Sequence, residues 1–178
     1  MYEDKISEFI NQVLFTAPLA YTDVRGGSRF PDIRGMIYFY EVYRGTLILA
    51  EVWGLPHAEG PCPGRFFGFH IHEGGSCLGS DGEDPFAGTK GHLNPGDCSH
   101  PDHAGDLPML LGNRGFAWMA CYTERFVPGS ILGHTAVIHE LLDDFRTQPS
   151  GNSGEKIACG VIMPYSMAAG VDFNSVNR

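Results

Sequence analysis

Apolar side chains change their spacing along this chain of 178 residues. Within residues 2–14 they fall at Ile6, Phe9, Ile10, Val13 and Leu14, the three- and four-residue spacing of one helix face. The pattern predicts a short amphipathic N-terminal helix. Residues 15–31 are mixed and carry the breakers Pro18, Gly26 and Gly27, with room for an early strand over Ala20–Val24. From Asp32 the period drops to two, with Ile33, Gly35, Ile37 and Phe39 on one face as far as Val42. Tyr43-Arg44-Gly45 is a turn signal, and Thr46–Leu55 is rich in Leu, Ile and Val. These two segments predict an antiparallel hairpin. A loop follows over Pro56–Gly64, and Arg65–Glu73 predicts a third strand. Gly115–Tyr122, Thr135–Glu140 and Lys156–Pro164 are also strand-like.

Between these strands, residues 74–113 are dominated by Gly, Asp, Pro, His and Ser. A structureless loop of about 40 residues is unusual in a compact domain and tends to be functional. A second loop runs over Leu141–Glu155. Short strands joined by long decorated loops predict an all-β sandwich or barrel. No internal repeat or linker divides the chain. The expected organisation is an N-terminal extension over 1–31, carrying the helix, and one domain over 32–178.

Composition narrows the function classes. Hydrophobic residues at 43% and charged residues at 19% fit neither a disordered nor a membrane protein. No run of eighteen apolar residues is present to span a bilayer. The formal charge of −9 argues against non-specific nucleic-acid binding, and an anionic substrate would need a local positive patch. Acidic residues precede the first apolar stretch, the reverse of a secretory signal. The expectation is a cytoplasmic protein as given, with an exported, trimmed form as the alternative. Cys62, Cys77, Cys98, Cys121 and Cys159 make an odd count, which leaves at least one thiol unpaired within the chain. No Cys-x-x-Cys motif is present, and one or two disulfides are expected.

The candidate chemistry lies in seven metal-ligand residue types in a short series. His70 and His72 sit two apart on the predicted third strand, so their side chains share a face, while Phe67, Phe69 and Ile71 point oppositely to a core. His92 follows in Gly91-His-Leu-Asn-Pro95. His100, His103 and Asp106 form His-x-x-His-x-x-Asp on a Gly/Pro loop, which can wrap a tetrahedral zinc given a fourth ligand, for which His92 is the natural candidate. Asp102, beside His103, is a decoy. His139 ends a strand. Imidazoles favour copper and zinc, and a carboxylate among them suits zinc.

With these motifs in place, the chain resembles the copper–zinc superoxide dismutase family, and more closely its bacterial members. The resemblance rests on Gly68-Phe-His-Ile-His72, Gly91-His-Leu-Asn-Pro95, His103-Ala-Gly-Asp-Leu107, Gly133-His-Thr-Ala-Val-Ile-His-Glu140 and Gly151-Asn-Ser-Gly-Glu-Lys-Ile-Ala-Cys-Gly-Val-Ile162, in that order over about 33–163, with Gly75-Ser-Cys77 after the first His pair. It implies an eight-stranded Greek-key β-barrel with long metal-binding loops. It implies copper on His70, His72, His92 and His139, and zinc on His92, His100, His103 and Asp106, with His92 bridging as an imidazolate. It implies Asp143 as a carboxylate linking a copper His to a zinc His, and a disulfide between Cys77 and Cys159. Cys98 stays open between a partner for Cys62, a stray zinc ligand and a plain loop thiol. Cys121 is expected as a buried free thiol. The implied activity is antioxidant: dismutation of superoxide to dioxygen and hydrogen peroxide. The alternative is a non-catalytic copper/zinc-binding or buffering protein of the same fold. A homodimer is open.

Three departures from the family pattern stand out. Lys156 occupies the place of an Arg, keeping the charge that attracts superoxide but losing the planar fork. His100 and His103 are closer in sequence than is usual in the family. The loop over residues 144–151 is short, and Arg146 is its only cation.

Overall fold

The computed structural model describes residues 5–61, 64–79 and 84–166. Helix α1 spans Lys5–Phe15, as its spacing predicts. It ends where Thr16 turns back onto the carbonyl of Gln12 through both its amide and its hydroxyl. Pro18 then disfavours a helical conformation at the residue before it. Phe9 and Val13 pack on Tyr40, Val42 and Leu47 of the sheet, while Ile10 and Leu14 remain exposed.

Strands β1 (Ala20–Gly26), β2 (Arg34–Val42) and β3 (Gly45–Trp53) form an antiparallel meander, and β2 buries Gly35, Ile37 and Phe39 on one face as expected. The remaining strands are β4 (Arg65–Phe67), β5 (Phe69–His72), β6 (Leu110–Gly112), β7 (Ala117–Thr123), β8 (Thr135–His139), β9 (Lys156–Val161) and β10 (Met163–Pro164). Seven of them run in the order β5-β8-β9-β1-β2-β3-β7, with β10 alongside β1, and β4 pairs with β6 separately. The sheet curls into a half-barrel around Val24, Ile37, Phe39, Ile48, Phe67, Phe69, Ile71, Ile138 and Ile157. At about 25 cal/mol per Å² of apolar surface, this burial is the main stabilising term.

Two expected strands are each divided where their pairing changes. At Gly68 the chain changes partner: β4 pairs with β6, whereas β5 pairs with β8. At Ile162 the pairing with β8 ends, while β1, already a partner of β9, continues alongside as the partner of β10. The loop read as irregular over 74–113 also holds β6 and a 3₁₀ turn over Ala87–Thr89. The early strand is an inner member of the sheet, between β9 and β2.

Candidate metal centre

The strand geometry delivers the first two histidines as the period of two requires. His70 and His72 lie on β5, opposite Val137 and Thr135 of β8. A register shift between Ile138 and His139 sets His139 opposite Lys156, and such a bulge re-aims a side chain. The long loop then docks along β5. Leu93 donates to the Ile71 carbonyl at 2.8 Å, and Ile71 donates to the Gly105 carbonyl at 2.9 Å. Gly105 comes so close that a Cβ there would meet the Ile71 oxygen at 2.1 Å. This docking pairs His92 with His72 and Asp106 with His70 across the backbone.

The result is two clusters of donor atoms, each within 4.8 Å: His70, His72, His92 and His139 in one, and His92, His100, His103 and Asp106 in the other. All seven residues are buried, and His92 is common to both. Asp102 stays outside; its side chain is exposed and lies 3.7 Å from Arg125.

The hydrogen-bond network assigns the ring nitrogens. His72 Nδ1 lies 3.0 Å from the Lys90 carbonyl, and His139 Nδ1 lies 3.2 Å from the Gly154 carbonyl. A carbonyl only accepts, so both Nδ1 atoms carry the proton and both Nε2 atoms present lone pairs. Those two Nε2 atoms face each other at 3.2 Å. His70 Nε2 is taken by Asp143 at 2.7 Å, leaving Nδ1 as its free donor atom. His70 Nδ1, His92 Nε2 and His100 Nδ1 are buried without a hydrogen-bond partner. Buried nitrogens left unsatisfied are costly, and lone pairs converging without protons between them are the arrangement a cation satisfies.

Burial favours the neutral form of three of these imidazoles. It lowers His70 to about 4 and His139 to about 3, and it holds His72 well below 6.5. Burial pushes Asp106 up, but the hydrogen bond and charge of His92, with His100 and His103, outweigh it and hold the carboxyl below its usual range. The neutral His70, His72 and His139 and the ionised Asp106 are in the ligand states a divalent ion needs.

Asp143 ties the clusters together. One oxygen accepts from His70 Nε2 at 2.7 Å and the other lies 2.9 Å from His100 Nε2. Burial would raise its pKa, but the bonds from His70, the Phe145 amide and His100 hold it far below the usual value. Room for this carboxylate depends on Gly151, at φ +67°, where a Cβ would lie 1.9 Å from Asp143 Oδ1. A carboxylate on the outer nitrogen of a metal-bound imidazole fixes its tautomer and orientation.

Cys77 and Cys159 form the disulfide, joining the long loop to β9. Cys98 is a free, exposed thiol, and Cys62 lies outside the described residues, so a Cys62–Cys98 bridge finds no support. Cys121 is a half-buried free thiol whose pKa burial pushes up to about 11. Lys156 sits beside the copper-type cluster, opposite His139, with its ammonium 2.9 Å from Asp84 Oδ2 and 3.4 Å from the Phe86 carbonyl. Sequence reading missed Asp84: it lies 72 residues from its partner and no spacing marks it.

Fold and site together define a β-barrel metalloprotein with two adjacent metal positions sharing one histidine. The family model for copper/zinc superoxide dismutase matches residues 33–162. The superoxide dismutase [Cu-Zn] of Deinococcus radiodurans is 37% identical over 134 residues, covering 66% of this chain and 70% of that protein. Superoxide dismutase [Cu-Zn] 2 of Aquifex aeolicus is 33% identical over 146 residues, 74% of this chain and 80% of that protein. The solved Cu/Zn superoxide dismutase from Brucella abortus superposes with a TM-score of 0.67 at 25% identity, covering 80% of this chain and 98% of that one. This chain belongs to the copper/zinc superoxide dismutase family.

Proposed function

We propose that this chain dismutates superoxide to dioxygen and hydrogen peroxide, with copper held by His70, His72, His92 and His139 and zinc by His92, His100, His103 and Asp106. The supporting observation is the pair of buried four-donor clusters that share His92. When bound, copper supplies one-electron chemistry, oxidising one superoxide and reducing the next with uptake of two protons, while redox-inert zinc supplies fixed positive charge.

The chain's own groups do the rest. His70, His72 and His139 are locked at their outer nitrogens, so each presents a single lone pair in a fixed direction. Of the four histidines in this cluster, His92 alone has no such carbonyl or bridging Asp143 lock. Its Nδ1 faces Asp106 at 2.7 Å, and its Nε2 has no partner among the protein groups. That Nε2 is therefore the atom able to take up a proton and return it. Asp143 keeps His70 and His100 in register. Lys156, mostly covered and opposite His139, is the cation that draws a small anion toward the cluster, although Asp84 offsets part of its charge.

The non-catalytic alternative is not favoured, because every residue of both expected ligand sets is present and brought together. Among the described residues no helix is long and apolar enough to cross a membrane.

Metal content and superoxide consumption should be measured on one copper- and zinc-loaded sample. One copper and one zinc per chain with turnover is the expected result. Stoichiometric copper without turnover would sink the enzymatic reading. The His92→Ala variant should retain both metals poorly, and loss of only one would contradict the shared ligand.

A further inference from the structure

The stretch over residues 100–106 carries three of the four donors of the zinc-type cluster but forms no helix and pairs with the sheet only at its Asp106 end. Its inner side is tied to β5, through Ile71 donating to the Gly105 carbonyl. Its outer carbonyls have no strand to accept from. Two distant side chains meet them instead.

Arg125 is the first. Its Nη1 lies 2.9 Å from the Pro101 carbonyl, 3.0 Å from that of His103 and 3.3 Å from that of Asp106. The residue bearing it is anchored to the barrel. The Arg125 amide donates to Thr123 Oγ1 at the end of β7, and the neighbouring Phe126 is buried, its carbonyl accepting from Thr46 Oγ1 of β3. Gln148 is the second. Its amide forms a reciprocal pair with the His100 backbone, accepting from the amide at 3.0 Å and donating to the carbonyl at 2.7 Å. Gln148 is in turn placed by the Asp144 carboxylate, which accepts from the amides of Arg146 and Thr147.

We propose that Arg125 and Gln148 are positioning residues for the zinc site, fixing the backbone of His100, His103 and Asp106 from outside. The proposal rests on the assignment of zinc to His92, His100, His103 and Asp106. The physical need is specific to this loop. His100 and His103 are three apart, so the chain must reverse tightly between two inward-facing rings. Gly and Pro chemistry alone does not hold such a reversal in one conformation. A cationic donor among three carbonyls makes hydrogen bonds stronger than neutral ones, and a guanidinium loses less freedom in doing so than a flexible ammonium. Ligand clusters that are pre-formed bind metal without a separate ordering cost.

The test uses the full-length, metal-free protein, with zinc affinity measured by competition against a chromophoric chelator. Variants are Arg125→Gln, Arg125→Lys, Gln148→Leu and, as a ligand control, His103→Ala. Arg125→Gln and Gln148→Leu should each weaken zinc about 10- to 100-fold, the range found for groups that orient metal ligands. Arg125→Lys should recover part of the loss, since one ammonium can still reach one or two carbonyls. Copper affinity and the melting temperature of the metal-free protein should change little, because His70, His72 and His139 stand on the paired strands β5 and β8 and the His92 segment is tied to β5 through Leu93. Zinc affinity unchanged by Arg125→Gln and Gln148→Leu, but lost in His103→Ala, would overturn the positioning role and leave the site assignment standing. A parallel fall in zinc affinity, copper affinity and melting temperature would overturn it as well, by showing a general structural role. Zinc affinity untouched by His103→Ala would remove the assignment and the proposal together.

Discussion

Breaking the Cys77–Cys159 bridge should destabilise the metal-free protein by several kcal/mol. The bridge closes a sequence separation of 82 residues, which contains most of the long loop together with β6, β7 and β8. In the chain-entropy account, removing a cross-link of that span frees the unfolded ensemble by about 4.5 kcal/mol at 25 °C. Residual structure in the unfolded chain lowers the realised effect, so about 2–4 kcal/mol is expected. For a chain of this size, each kcal/mol moves the melting temperature by about 2–4 °C, giving a fall of about 4–16 °C. The assay is thermal melting of chelator-treated protein, oxidised and reduced, beside a Cys77→Ala/Cys159→Ala variant. Cys98 and Cys121 are already thiols, so among the described cysteines only the bridge responds to reductant. Cys159 is buried against Phe86 and Val137, and its truncation adds a cavity cost to the variant that reduction does not. Reduced wild type should therefore melt below oxidised wild type, and the variant lower still or equal, with no response to reductant. Oxidised and reduced wild type melting within 2 °C of each other would refute the loop-closure reasoning.

Asp84→Asn should raise the superoxide rate constant at low ionic strength and steepen its fall with salt. It removes a negative charge from beside Lys156. A unit charge about 10 Å from an approaching anion is worth about 0.4 kcal/mol in water, hence about a twofold effect that vanishes in high salt; an equal rate at all salt concentrations would count against Lys156 as the guide. Acid should destabilise the metal-free protein from about pH 6.5 downward. His70, His72 and His139 are held neutral by burial when folded, so below pH 6.5 the unfolded chain binds protons that the folded chain refuses. Each contributes a loss of up to about 1.4 kcal/mol per pH unit, running down to about 4 for His70 and about 3 for His139. Urea melts at pH 7, 6 and 5 should show this slope, and a flat profile would contradict the buried neutral state.

Residues acting through local periodicity were legible in the sequence. The shared face of His70 and His72, the opposite face of Phe67, Phe69 and Ile71, and the helix at the N-terminus follow from spacing alone. What periodicity cannot carry is a change of pairing partner. Arg65–His72 reads as one continuous strand, yet Gly68 marks the passage from one sheet to another. Leu110–Gly112 is too short and too close to a proline to announce itself as β6, and it exists because β4 offers it an edge. Side chains that act over long separations are equally hidden. Asp143 lies 73 residues from His70 and was reached through the family resemblance rather than through any local signal. Asp84, Arg125 and Gln148 had neither.

The two halves of the site are built differently, and this bears on how they act on each other. The copper-type donors stand mainly on β5 and β8, whose backbone pairing fixes their directions before any ion arrives. The zinc-type donors stand on a loop whose shape depends on side chains reaching in from elsewhere. Two rigid links join them: the ring of His92, and the Asp143 carboxylate between His70 and His100. A displaced His100 would pull on Asp143, and Asp143 holds the outer nitrogen of His70. Disorder in the zinc loop reaches a copper-type ligand through that carboxylate, and His70, held on β5 by its pairing with β8, resists it. Order in this site runs from the barrel to the copper donors, and from the outside clamps to the zinc donors, with Asp143 and His92 as the places where the two must agree.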